Sequence, residues 1–345
     1  MADEDTTGGR PHLSSMRDVA RRAEVSVGTV SMVLNDDPRV SAASRERVLT
    51  AVRELGYVPS PIGKAINRKN CGVVGVLVPV SVSYPFDQLV RGVNKVAEEH
   101  GRGVFVSYSQ DRPDLEARAL SIFAHLRLDG IILAATPGCA EHNLPLLEAI
   151  ASRGVPVVQV ERQVAGLVAP YVGSANVESA AEATRRLLER WGGPALCVTG
   201  PLDYSVRAAR LAGFHGACDA AGLSAEQRSV VELPLLPPQE LRPRIAELLA
   251  GRRGSVLWLA HYMDALVDGL ADAGLRNGRD LGLTVFDVQP YEAQLSDEIE
   301  CWRQDGLALG RRAAQVLLGD SAAEADDGAL AFLPPVRLMS LEVPL

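Results

Sequence analysis

Apolar positions in the first sixty residues recur at helical spacing in three short stretches separated by breakers. In residues 16–23, Val19, Ala20 and Ala23 fall on one face, and Ser15 followed by Asp18 offers a start that is a weaker relative of the capping box. A three-residue turn, Glu24-Val25-Ser26, leads to a second stretch. There Ser26 can accept from the free amides of the first turn, while Val30, Val33 and Leu34 repeat at the spacing of a buried stripe. That leaves Val27, Gly28, Ser31 and Met32 on the outer side. A third stretch opens at Ser41, carries Val48, Val52 and Leu55 on one stripe and stops at Gly56. Two short helices around a tight turn, backed by a third, predict a helix-turn-helix unit whose second helix offers its outer side to a duplex major groove.

The run from Tyr57 to Asn70 is broken by Pro59 and Pro61 and charged by Lys64, Arg68 and Lys69. It reads either as a solvated tether or as a short helix that orders only on DNA. From Gly72 the period changes. Short apolar runs (GVVGVLVPV, GVFVSYS, GIILAA, VPVVQV) alternate with amphipathic ones (FDQLVRGVNKVAEEHG, LEARALSIFAHL, NLPLLEAIASRG), and a second series repeats the alternation from YVGS through ALCVTG, VVELP and SVLWLA to LTVFD. Such repeats predict parallel sheets, here two α/β lobes with a cleft between them. Ligands of open parallel sheets bind beyond the carboxyl ends of the strands, so each strand end is a candidate wall.

At 345 residues and 47% hydrophobic content the chain can bury more than one core, and roughly 150 residues per domain gives two or three domains. The net charge of −8 argues against nucleic acid only until it is split. Residues 14–70 hold ten Lys and Arg against six Asp and Glu, a net of +4, while residues 71–345 carry a net of −10. The basic excess sits on the head, and the acidic body is ordinary solubility charge or a surface that repels phosphate. Cys71, Cys139, Cys197, Cys218 and Cys301 form no Cys-x-x-Cys pair and read as reduced, mostly buried thiols of a cytosolic protein. The six His lack ligand spacing, so no metal and no cofactor are expected. There is no run of about 18 apolar residues, and the acidic, polar opening MADEDTTGGRPH predicts neither a membrane span nor a secretory signal but a disordered tail over residues 1–13.

The segments VARRAEVSVGTVSMVLN, RVSAASRERVLTAVRELGYVPS, GVVGVLVP and GPLDYSVRAARLAGF resemble, in order and spacing, the lactose/galactose repressor family of transcriptional regulators. The resemblance implies an α/β chain: an N-terminal three-helix helix-turn-helix head over 14–58, a hinge linker over 59–70 and a two-lobed periplasmic-binding-protein-like body with parallel sheets over 71–345. Lobe 1 would take about 71–172 and 306–333, lobe 2 about 173–305 and 334–345. It places Val27, Gly28 and Met32 at base edges, none of them able to form a bidentate hydrogen bond, so contact with thymine methyls must do more of the reading. Ser26 caps that helix. Thr29, Ser31, Asn35, Ser41 and Ser44 remain as donors to phosphates, with Tyr57 and Ser60 beside them and Arg39 as the long cationic candidate for a base. In the hinge, Lys64 supplies charge and Ile66 stands where the family wedges a leucine into the minor groove, unless it simply pairs with Ile62.

The same resemblance puts Tyr84 and Phe86, Glu161 and Arg162, Arg207 and Arg210, His261, Asp287 and Gln304 around an effector cleft. Glu161 and Asp287 are acceptors suited to hydroxyls, Arg207 or Arg210 a forked donor, and Tyr84 or Phe86 an apolar face. The chain departs from the family in two places: Ala208 replaces an Arg, and Leu259-Ala260 replaces an Asn-Asp pair. Arg207 lies one residue away, about 100° round a helix, and is no simple substitute. An effector less hydroxyl-rich than a hexose, or none, is the expectation. The expected partners are double-stranded operator DNA, a second copy of the chain in a homodimer, and a small-molecule effector, with no membrane; the expected place is the cytoplasm, on the nucleoid. A periplasmic-type receptor would need a secretion signal. An enzyme would need a catalytic set, and neither Gly-x-Ser-x-Gly nor Gly-x-Gly-x-x-Gly after a strand is present.

Overall fold

The computed structural model describes residues 14–34, 36–57, 71–80, 84–126, 128–260, 263–288, 299–319 and 333–338, the last six and Tyr84 as backbone. The tail over 1–13, the hinge over 59–70, Asn35, Ser60, Lys64, Ile66, His261 and the Tyr84 side chain lie outside the described residues. The chain divides into two compact units, up to Cys71 and from Gly72.

In the first unit, helix α1 (Met16–Ala23), α2 (Val27–Leu34) and α3 (Ala42–Glu54) enclose a core of Val19, Ala20, Ala23, Val30, Val33, Val48 and Ala51. Helices of eight residues are marginal in water, so this shared core is what holds them. On α3 the fully buried positions are Val48 and Ala51, with Val52 and Leu55 at the margin, a stripe shifted by one residue from the expected one.

The second unit holds two sheets. The first, in order β2-β1-β3-β4-β5, is parallel throughout and comprises β1 (Val73–Val78), β2 (Gly103–Tyr108), β3 (Gly130–Leu133), β4 (Val157–Val160) and β5 (Tyr171–Val172). Its connections carry α4 (Tyr84–Glu99), α5 (Pro113–Leu126), the one-turn α6 (Cys139–His142) and α7 (Leu144–Ser152). After β5 come α8 (Asn176–Trp191), β6 (Ala195–Thr199), α9 (Ser205–Ala220), β7 (Arg228–Glu232), α10 (Pro238–Leu249), β8 (Ser255–Trp258), α11 (Met263–Asp272), β9 (Gly282–Phe286) and β10 (Ile299–Arg303). Helix α12 (Gly306–Leu318) leaves the second sheet and packs on the first, burying Leu309, Ala313 and Ala314 with Val74, Val76 and Leu89. Strand β11 (Leu333–Leu338) completes the second sheet, in order β11-β10-β9-β8-β6-β7.

One expectation needs correcting. The second sheet is not wholly parallel, because β11 runs antiparallel to β10 at its edge. The chain comes back to that sheet from α12 on the other lobe, and an antiparallel edge strand on an otherwise parallel sheet satisfies its ladder without a further crossover. The second sheet is covered on both faces, by Leu241, Ile245 and Leu266 with Val256 and Trp258 on one side, and by Ala180, Ala183 and Phe214 with Cys197 and Leu257 on the other. That two-sided burial is why the central strands β6, β8 and β9 are buried along their whole length, whereas β7 at the edge, Arg228–Glu232, is polar and partly exposed.

Helices α8 and α9 cross at Gly213, where a methyl group would collide with the Val177 carbonyl oxygen, whereas Gly216 on the same helix is exposed and has nothing within 4 Å of such a methyl. Opposite signs are therefore expected from one chemical change. Gly213→Ala should lower stability by about 1–3 kcal/mol in urea unfolding, and Gly216→Ala should raise it by about 0.5–1 kcal/mol through backbone entropy.

Candidate functional site

In the head, the ends of the helices are set by named side chains. Ser15 and Asp18 form a complete reciprocal cap: Ser15 Oγ accepts from the Asp18 amide at 3.3 Å, and Asp18 Oδ2 accepts from the Ser15 amide at 2.9 Å. Glu24 ends α1 in the left-handed region at φ +54°, and the turn delivers Ser26, whose Oγ accepts from the Thr29 amide at 3.0 Å. With Val30 and Val33 held in the core, Val27 is left 42% exposed and Gly28 exposed beside it, while Ser31 and Met32 are half-buried. The start of α2 is thus its most accessible part. Ser41 caps α3, accepting from the Ser44 amide at 3.3 Å, and its hydroxyl is engaged with that of Ser44. Tyr57 packs half-buried against the head core.

Arg39 is exposed but not idle. Its Nε and Nη2 donate to Asp37 at 3.0 and 2.7 Å, and this fork holds the Asp37 carboxyl down to about 2. A duplex would have to take Arg39 from Asp37. Arg17 and Arg47, which the sequence reading passed over, are exposed with no ion pair among the described residues, and are the freer cations. Nothing in their local sequence marks them; only the neighbours they lack do.

In the body, the strand ends of the two sheets are joined by a buried polar network. Glu161, just past β4 and 2% exposed, accepts from the Ser174 amide and hydroxyl, each at 2.6 Å. Asn176 accepts from Arg210 Nε at 2.8 Å, and Arg210 Nη2 donates to Asp287 Oδ2, just past β9, at 2.6 Å. Gln304, past β10, donates to Asp287 from its amide and its side chain at 3.2 and 3.0 Å. Glu161 and Asp287 both stand at positive φ, +59° and +56°. Burial pushes the Glu161 carboxyl up, against the hydrogen bonds from Ser174 that favour its charged form.

Beside this network lies a stack of cations and rings. Arg162 donates to Asp111 at 2.5 Å and to the Ala135 carbonyl at 3.1 Å, and its guanidinium lies 5.6 Å from the Phe86 centroid and 4.3 Å from that of Tyr204. Arg207, 7% exposed, approaches the same Tyr204 ring at 4.2 Å. The geometry brings Glu161, Arg210, Asp287 and Gln304 together, and Phe86, Arg162 and Arg207 in a second group around Tyr204. Leu259 and Ala260, just past β8, are buried at 4% and 7% exposure and belong to the two cores of the second lobe. Tyr204, Asp111, Ser174 and Asn176 were not anticipated. Tyr204 directly precedes α9, a position that could have been read as ring-bearing and cleft-facing from its place after a strand.

Removing one partner of the buried ion pair should be costly. Asp287→Ala is expected to lose about 3–5 kcal/mol by stranding Arg210, and Arg210→Met added to it should return part of that loss, measured in a double-mutant cycle by chemical unfolding. For Glu161 the raised carboxyl contributes stability in full below its ordinary value of 4.5, a contribution lost as pH rises through the folded value. Glu161→Gln removes this titration, so the stability of the variant relative to the parent should increase between pH 4.5 and 7.

Residues 15–60 match "Bacterial regulatory proteins, lacI family", and residues 71–233 match "Periplasmic binding proteins and sugar binding domain of LacI family". The ribose operon repressor of Escherichia coli (strain K12) is 30% identical over 219 residues, which cover 61% of this chain and 63% of that repressor. The chain thus spans somewhat less than two thirds of that relative's length. Among solved structures, a transcriptional regulator CelR-cellobiose complex superposes with a TM-score of 0.63 at 25% identity, over 94% of this chain and 99% of the other. The Lac repressor dimer bound to operator and the anti-inducer ONPF superposes at 0.77 with 20% identity, over 95% and 99%, a likeness of fold. With a helix-turn-helix head matching one of the two patterns and a sugar-binding-type body matching the other, the chain belongs to the lacI family of bacterial regulatory proteins.

Proposed function

We propose that the chain is a sequence-specific DNA-binding transcriptional repressor, acting as a homodimer, whose grip on a double-stranded operator is set by a small molecule in the cleft of the body. The observation that carries this reading is the capped start of α2, where Val27 and Gly28 stand clear of the head core. A helix held by a buried stripe and open at its N-terminal side is the shape that enters a major groove. One such head makes few contacts, so two copies on a two-fold site are required for useful affinity. Residues 14–58 form the reading head, 59–70 the hinge and 71–345 the sensing and dimerising body, at work in the cytoplasm and on the nucleoid. In the body the strand ends of two sheets meet over acceptors, forked donors and rings, the furnishing of a small-molecule cleft. A ligand that binds one arrangement of the lobes better than another shifts the population of the DNA-competent state.

Selection of duplexes from a random library by the full-length chain tests the reading. The expected product is an inverted repeat with spaced half-sites, and no enrichment over competitor at moderate salt would overturn it. Two variants refine the test in salt-dependent gel shifts. Val27→Ala should weaken the selected site by about tenfold while leaving the affinity for random duplex and the salt slope unchanged. Asp37→Asn should release Arg39 and steepen the salt dependence by about one phosphate contact.

A further inference from the structure

We propose that the cleft ligand carries an anionic group, a carboxylate or a phosphate, seated on Arg207 at the start of α9. The inference rests on the reading of the cleft as a small-molecule site and names the chemical class it takes.

Of the three guanidiniums among the cleft residues, Arg207 and Arg210 are buried and Arg162 is half-buried, and two have a carboxylate of their own: Arg162 has Asp111, and Arg210 has Asp287. Arg207 is 7% exposed, yet among the described residues it has no carboxylate within ion-pair distance. One of its five N–H groups is used, Nη1 donating to the Pro201 carbonyl at 2.8 Å. Burial of a cation without an ion-pair partner is expensive and is the main cause that lowers the affinity of Arg207 for its proton; Arg162 adds repulsion, while Tyr204 and the carboxylates of Asp203 and Asp111, beyond ion-pair distance, offset it in part. The protein nevertheless builds a berth for it. Its guanidinium lies over Gly200, where a side-chain carbon would come within 2.9 Å of Arg207 Cζ, and against the Tyr204 ring.

The surroundings point the same way. Helix α9 runs for sixteen residues and its capping position, Tyr204, supplies no side-chain acceptor. The amides of Arg207 and Ala208 turn back to the Tyr204 carbonyl, which leaves those of Ser205 and Val206 without a protein acceptor among the described residues. The helix dipole adds partial positive charge at the same place. From the other lobe, the Gln163 amide donates to Ser205 Oγ at 3.3 Å and Arg162 stacks on Tyr204 at 4.3 Å, so residues of both lobes surround the start of this helix. An anion bound here would meet a forked guanidinium, two open amides and a helix N-terminus, and would bridge the lobes. A neutral sugar would leave Arg207 without an ion-pair partner.

The test uses the full-length chain at constant ionic strength, with ¹⁵N arginine side-chain NMR. The Arg207 Nε–H signal is assigned by its disappearance in Arg207→Lys. Inorganic phosphate is the deciding probe, followed by D-glucose, D-gluconate and D-glucose 6-phosphate, which separate a carboxylate source from a phosphate source. Phosphate is expected to shift the Arg207 signal in saturable fashion, at least one of the two acidic sugars to bind tenfold or more tightly than glucose, and Arg207→Met to lose tenfold or more of that affinity. An Arg207 signal unmoved by phosphate, or an affinity unchanged in Arg207→Met, would overturn the proposal, as would glucose binding as tightly as the acids. Operator affinity measured in parallel keeps the two readings apart. Anion binding at Arg207 with no change in operator affinity upholds the subsite and sinks the ligand-controlled regulator. A response of operator affinity to glucose, with Arg207 silent, does the reverse.

Discussion

The body depends on the burial of a guanidinium between strand ends of its second sheet. Arg210 reaches from α9 to Asp287 beyond β9 and to Asn176 at the start of α8, and Gln304 closes the set from beyond β10. A charge so placed has a high cost unless each donor is met, so the ends of three elements are fixed relative to one another to within hydrogen-bond tolerance. Ser174 and Glu161 carry the constraint to the first sheet. The network joins strand ends of both sheets, and the cation and ring stack of Arg162, Tyr204 and Arg207 is mounted beside it.

The head reaches order by another route. Its core is small, seven buried side chains among the described residues, each of them Val or Ala. Such short side chains contribute little each, roughly 1–2 kcal/mol, so the end caps at Ser15, Ser26 and Ser41 carry a large share of the helix definition. Local hydrogen bonding, rather than bulk, fixes the angle at which α2 leaves the turn. The body is the reverse: large apolar faces decide its shape, and polar groups decide its interior contacts.

This difference explains what could be read in advance. Caps and helical stripes are local, and Ser15, Ser26, Ser41, Val30 and Val33 all behave as their spacing predicts. The alternation of apolar runs and amphipathic stretches likewise marked the strands and helices as far as Phe286. Beyond that the pattern failed to announce β10, α12 and β11, because a crossing helix and an antiparallel edge are decided by what they pack on. The cleft was legible residue by residue but not as an arrangement. Arg162, Arg207 and Arg210 look alike in sequence, and only the tertiary structure shows that two have carboxylates to hand.

The positive φ of Glu161 and Asp287 has a further consequence for how their contributions are measured. A left-handed backbone suits glycine, is tolerated by aspartate and costs alanine about 1–2 kcal/mol. At Asp287, replacement by alanine adds a backbone penalty to the loss of the carboxyl and inflates its worth, while glycine relieves strain and deflates it; Glu161 already bears the penalty that alanine would, so there only glycine shifts the balance. At Asp287 the two truncations bracket the electrostatic contribution from opposite sides, and at Glu161 the difference between them reports the conformational tension that strand end stores.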